Sequence, residues 1–320
     1  MKNKLILWLS VILLVVVVAF MAKDLFVNQN KIQENVYEYD LKELRKVDAS
    51  KISHKEVKQI RIQANELLGI ATDNKDQIYV STDENILVLD TAGKQINSLR
   101  VRGRARCVSV AEDGNIFVGL SNRIDVRKPD GSLRNSFVIP GEKAFITSIA
   151  IDGDNVYVAD AGQKIVHHYN INGEKIKEIG GKNLDAGIKG FVIPSPFFDL
   201  LMGRQGELWV VNPGRHAFEA YNYNGEQISS WARTAMSIEG FSGCCNPANI
   251  AMLSDGSFVT VEKGLERVKI HLPSGDLKSV VAAPELFEEG TVGIDLAVDS
   301  QDRILVLDPV QKMIRIFEAK

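Results

Sequence analysis

Cys244 and Cys245 are adjacent, and of all the residues in this chain they have the widest choice of chemistry. Neighbouring thiols can close into a vicinal disulfide, whose small ring strains the intervening peptide and makes the bond easier to reduce. They can instead hold a thiophilic metal, with His216 or Glu239 as a further donor, or form a structural disulfide or a pair of buried thiols. The pair lacks the CxxC spacing of a zinc site. The third cysteine, Cys107, sits in an apolar strand pattern and reads as a core residue. The histidines are five, His54, His167, His168, His216 and His271, and their spacing offers no metal triad. No nucleophile elbow, HExxH or phosphate-loop motif occurs. No catalytic residue, resident metal or cofactor is therefore expected.

A second group is mostly cationic. Arg104, Arg106, Arg123, Arg215, His216, Lys263 and Arg267 fall in connecting segments, with Glu262 among them. The forked guanidinium of Arg matches carboxylate and phosphate oxygens, so an anionic ligand is one reading of this set. Solvated loop charges are the other. Overall balance does not decide, because the net charge is only −3. That value gives no reason to expect nucleic acid, and 45% hydrophobic with 25% charged residues excludes a disordered chain.

The elements that must position these residues recur along the chain. Short apolar strands at residues 78–80, 116–118, 156–158, 208–210, 258–260 and 304–306 each follow a cluster of turn-forming residues. Examples are Asp113-Gly114-Asn115 and Asp255-Gly256-Ser257. Each is followed by a third strand, in most cases by a second turn ending in Gly, and then by a fourth strand. Four strands repeating every ~40–50 residues indicate a β-propeller blade. Six copies predict an all-β six-bladed propeller over residues 56–320. The sixth copy lacks a fourth strand, and the alternating segment 57–62 is expected to supply it and close the ring.

The segments 149–160 (Ile149 to Asp160) and 294–308 (Ile294 to Asp308) resemble NHL repeats of six-bladed propellers. The stretch from Phe241 to Pro247, with Glu262-Lys263-Gly264, is similar to a group of exported or membrane-anchored bacterial propellers without assigned activity. This resemblance implies the fold and leaves function open, since such propellers include scaffolds, lyases and hydrolases. Propeller lyases of the amidating type would need channel histidines. Lactonase-like propellers use inner carboxylates and Asn; here Asp199, Asp295 and Asn249 are scattered and could equally bond strand backbone.

Residues 5–22 carry no charge and only Ser10 as a polar side chain, after Lys2 and Lys4. At ~1.5 Å per residue such a helix approaches the ~30 Å hydrocarbon core of a bilayer. The run ends on Phe20 and Met21, too large for a signal-peptidase site, so residues 1–22 read as an uncleaved signal anchor with cleavage as the alternative. Residues 23–55 read as a stalk, and the flanking lysines place the propeller outside the cytoplasmic membrane.

Two functions follow as expectations. The first is a membrane-anchored binding or scaffold module, engaging a protein or anionic ligand on the loop face through the cationic set. The second is a redox or electron-transfer accessory using Cys244 and Cys245. Long connections carry function more often than short ones, which draws attention to residues 180–196 and 234–247.

Overall fold

The computed structural model describes residues 2–27, 41–182 and 189–320. The chain divides into two compact units, Met1–Leu41 and Lys42–Lys320. In the first, helix α1 covers Lys2–Val27, and its apolar side chains such as Leu13 and Phe20 are exposed. Among the residues whose side chains are described, no helix is long and apolar enough to cross a membrane. Residues 28–40 of the expected stalk, and 183–188 of the first long connection, lie outside the described residues.

The second unit is a ring of six four-stranded antiparallel sheets, formed by strands β1–β24 in chain order. The innermost strands are β2 (Leu67–Thr72), β6 (Cys107–Val110), β10 (Ile146–Asp152), β14 (Leu200–Met202), β18 (Asn249–Met252) and β22 (Asp295–Val298). In the first five blades the remaining strands follow outward in sequence order. The sixth runs from β22 through β23 (Ile304–Asp308) to β24 (Met313–Ala319), and its outermost strand is β1 (His54–Arg61). The register runs from His54 opposite Ala319 to Arg61 opposite Met313, with one shift between Glu56 and Lys58. This is the closure expected of the alternating segment 57–62.

The second strand of each blade is a continuous apolar run because neighbouring blades cover both of its faces. All of Ile78–Thr82, for example, is buried. Outer strands bury far less, as in Gln95–Arg100, where only Leu99 is covered. Tight turns follow from local chemistry. The Asp73 carboxylate accepts from the Lys75 and Gln77 amides at 2.9 and 2.8 Å, and Gly114 supplies the left-handed conformation at φ +82°. Six hydrophobic clusters fill the six seams between blades. The seam that completes the ring joins Ile60, Ile62 and Ile314 to Leu67, Ile70 and Val80.

Residues 42–53, within the expected stalk, pack on the fifth blade. The Ser53 amide donates to the Val280 carbonyl at 3.0 Å, and Arg45 pairs with Glu266. Beneath this segment is a buried ionic cluster. Glu262 accepts from Arg267 at 2.8 and 3.0 Å, and Lys269 lies 3.0 Å from the same carboxylate. Lys269 also donates to the carbonyls of Gly240 and Ile238 at 2.6 and 3.1 Å, holding the 234–247 connection to the blade. All three side chains are 0–1% exposed. Burial pulls the Lys269 ammonium down to about 8, against the Glu262 charge that supports it. Replacing Glu262 by Ala leaves two cations without a counter-charge, a loss of about 3–5 kcal/mol. Denaturant unfolding of the Glu262→Ala chain should show this cost as a large drop in midpoint.

Candidate functional site

The six inner strands surround a central channel, a cavity of about 430 Å³. Inner strands are tied across blades by side chains. Asp199, just before β14, accepts from the Ile250 amide of β18 at 2.8 Å, and Asp295 of β22 accepts from the Ile70 amide of β2 at 2.8 Å. Thr147 donates to the Phe198 carbonyl at 2.6 Å, and Asn249 to that of Ile294 at 2.6 Å. The inner carboxylates therefore satisfy strand amides of the next blade. Gly69 keeps room here, since a Cβ would stand 2.9 Å from Ser81 Oγ and 3.3 Å from Cys107 Cα.

Burial raises the Asp199 carboxyl to about 6, and burial together with the Asp199 charge raises Asp295 to about 7. Cys107 is raised as well, by burial first and then by the two carboxylates. Its thiol packs among the apolar side chains between the second and third blades.

At one end of the channel a second cavity, of about 480 Å³, is bounded by Arg104, Arg106, Phe145, Phe197, Phe198 and Asn249. Arg106 is half-buried and its guanidinium lies 3.8 Å above the Phe145 ring. Its Nε has no hydrogen-bond partner, and the side chain makes no ion pair among the described residues. Stacking on an aromatic face leaves the edge of the fork available for an anion. Arg106 also lines the channel below. Lys263 approaches from another side, 5.2 Å from the Phe197 ring.

Outside this mouth lies a wider groove, about 1030 Å³, lined by Arg100, Arg102, Arg104, Arg123 and Arg127. Asp83, Glu84 and Asp125 oppose them. Arg104 belongs to both cavities and pairs with Glu66 at 2.8 Å. Arg123 pairs with Asp125 at 2.9 Å and donates to the Arg102 carbonyl at 3.0 Å.

The cysteines lie on the Lys263 side. Their Sγ atoms are 3.1 Å apart, Cys244 exposed and Cys245 buried. Burial opposes ionisation of Cys245, but the polar surroundings of Ser195, Cys244 and the Lys263 charge outweigh it and bring the thiol below its ordinary value. Cys244 moves the other way, raised by its contact with Cys245. Asn246 fixes this loop: its Nδ2 donates to the Ser242 and Lys263 carbonyls at 2.7 and 3.0 Å, and its Oδ1 accepts from the Lys263 amide at 2.7 Å. His216, left-handed at φ 51°, contacts Thr234 Oγ1 at 3.0 Å and the Gly243 carbonyl.

The residues expected to hold an anion thus separate into groups. Arg104 and Arg106 meet at the mouth, and Arg123 joins Arg104 in the groove. Lys263 and His216 flank the cysteine loop. Arg215 lies 3.7 Å from Glu219. Glu262 and Arg267 face each other inside the fifth blade. Sequence reasoning missed Phe145, the ring on which Arg106 stacks at the mouth. It also missed Lys269, whose place beside Arg267 in one charged, alternating strand was the available signal. Among the described residues no group of three His, Cys, Asp or Glu side chains could hold a metal ion.

The arrangement is that of a six-bladed β-propeller with a basic mouth on its channel. Solved structures agree on the fold. A streptogramin B lyase matches with a TM-score of 0.61 at 10% identity, over 85% of this chain and 100% of that one. A catalytically inactive virginiamycin B lyase from Staphylococcus aureus, with quinupristin, matches at 0.54 and 14% identity over 82% and 88%. The WD40 propeller domain of Doa1 gives 0.54 at 15% identity over 79% of each chain. No family model and no curated protein matches the chain.

The inner carboxyls make a pH prediction. The folded protein keeps their protons to higher pH than the unfolded chain, whose carboxyls titrate near 3.8. Between pH 3.8 and about 7 the folded state therefore binds more protons, and stability falls as pH rises. The contribution of these two carboxyls to the melting temperature should decline across this window, so the difference in melting temperature between wild type and Asp295→Asn should change with pH in that sense.

Proposed function

We propose that this chain is a membrane-anchored, extracytoplasmic propeller of the NHL type that binds an anionic ligand at its channel mouth. The observation that carries this reading is Arg106, stacked on Phe145, lining the mouth cavity and making no ion pair among the described residues. An unpaired, half-buried cation costs free energy that a bound anion recovers, so the residue is better suited to a ligand than to structure. The groove beyond it extends the site. Arg100, at the end of the strand Gln95–Arg100, alternates with Arg102, Arg104 and Arg106 of the connection to the second blade, and these residues line the groove and then the mouth. An elongated ligand with several negative groups, such as an acidic peptide segment of a partner protein, matches this track.

The anchor is supported by the uncharged run 5–22, by the helix Lys2–Val27 that contains it, and by the exposure of its described apolar side chains. The lysines before the run favour an outward-facing propeller.

Two experiments test this. Binding of a labelled hexaglutamate peptide to the full chain in detergent should weaken about tenfold in Arg106→Gln, a difference of about 1.4 kcal/mol. It should also fall steeply with salt. Equal affinity in wild type and variant would sink the ligand reading. Separately, alkaline washing of membranes should leave the full chain in the pellet and release a chain that begins at residue 42.

A further inference from the structure

We propose that Cys244 and Cys245 form a dithiol–disulfide exchange site, which reduces an external disulfide and closes into a vicinal disulfide. Three features of the structure carry this. The sulfurs already touch at 3.1 Å, so reaching the ~2.05 Å of a disulfide bond needs a shift of about 1 Å. One sulfur is open to solvent and the other is enclosed, which separates an entering position from a resolving one. The positive charge of Lys263 favours the thiolate of the enclosed sulfur. The Asn246 amide, bonded on both sides of the connection, keeps Lys263 beside the pair.

The exchange balances as follows. Cys245, as thiolate, takes the proton of Cys244 across their contact. The Cys244 sulfur attacks one sulfur of the external disulfide, whose S–S bond breaks, and the leaving thiolate takes that proton from Cys245. A mixed disulfide now stands on exposed Cys244. The Cys245 thiolate attacks the Cys244 sulfur, and the second thiolate leaves and is protonated by water. Two electrons pass from the dithiol to the external disulfide, which departs as two thiols. Cys107, enclosed in the core between the second and third blades, takes no part.

The test uses the full chain, with glutathione disulfide and reduced glutathione as the probe pair, followed by alkylation and mass spectrometry. The expected product is a Cys244–Cys245 peptide lighter by two hydrogens, formed reversibly as the ratio of the pair is varied, with Cys107 still alkylated as a thiol. Cys245→Ser should trap one glutathione on Cys244. Lys263→Ala should slow closure about tenfold as the thiolate population falls. Two free thiols at every ratio, a mixed disulfide that persists in the wild type, or an unchanged rate in Lys263→Ala would each overturn the proposal. Its failure is separable from that of the anion site, because Arg106→Gln should weaken peptide binding and retain the exchange.

Discussion

Everything in the propeller depends on the pairing of β1 with β24. Six sheets arranged in a circle bury their faces only if the last seam is filled, and that seam uses Ile60 and Ile62 from the start of the domain. Without them the first blade would expose Leu67, Ile70 and Val80, and the sixth an unpaired strand edge. The channel depends on the same closure. Asp295 reaches the Ile70 amide across this seam, so the inner ring of side-chain ties is completed where the outer ring of hydrogen bonds is completed. The constraint is long-range in sequence, and it makes the domain a single cooperative body instead of a row of separable blades.

Within that body, charge is used in two opposite ways. In the fifth blade Glu262, Arg267 and Lys269 are sealed from water, and each has a partner. At the mouth Arg106 rests on a ring, and Lys263 stands 5.2 Å from another, neither with an acidic partner among the described residues. The first arrangement fixes a shape, because a buried charge tolerates only the geometry that neutralises it. The second keeps an electrostatic capacity in reserve. Both groups include Arg and Lys, so residue type alone cannot tell them apart.

This is why the architecture could be read from the sequence and the site only partly. The central strands announce themselves because burial on two faces demands unbroken apolar runs, and the turns because Asp, Asn and Gly meet specific backbone needs. The closing strand was visible through the alternation of Ile60 and Ile62. Arg104 and Arg106 were legible as candidates, but Phe145 under Arg106 is distant in sequence, and only the neighbouring blade brings it there. The interior position of Glu262 and Arg267 was not legible, because a charged pair separated by a short loop usually means solvent. Asp199 and Asp295 were recognised near inner strands. Their bonds to amides of the following blade depend on a contact between blades that no local pattern encodes.

The Asn246 clamp also bears on how the molecule ages. Asparagine side chains are lost over time when their amide carbon is attacked by the backbone nitrogen of the next residue, giving a cyclic imide and then aspartate. Such a change would replace the amide that donates to the Ser242 and Lys263 carbonyls with an oxygen that repels them. The residue that follows is Pro247, whose backbone nitrogen carries no hydrogen and cannot close that ring. The side chain that holds the cysteine loop in place is thus protected, by its neighbour, from the commonest spontaneous decay of its kind.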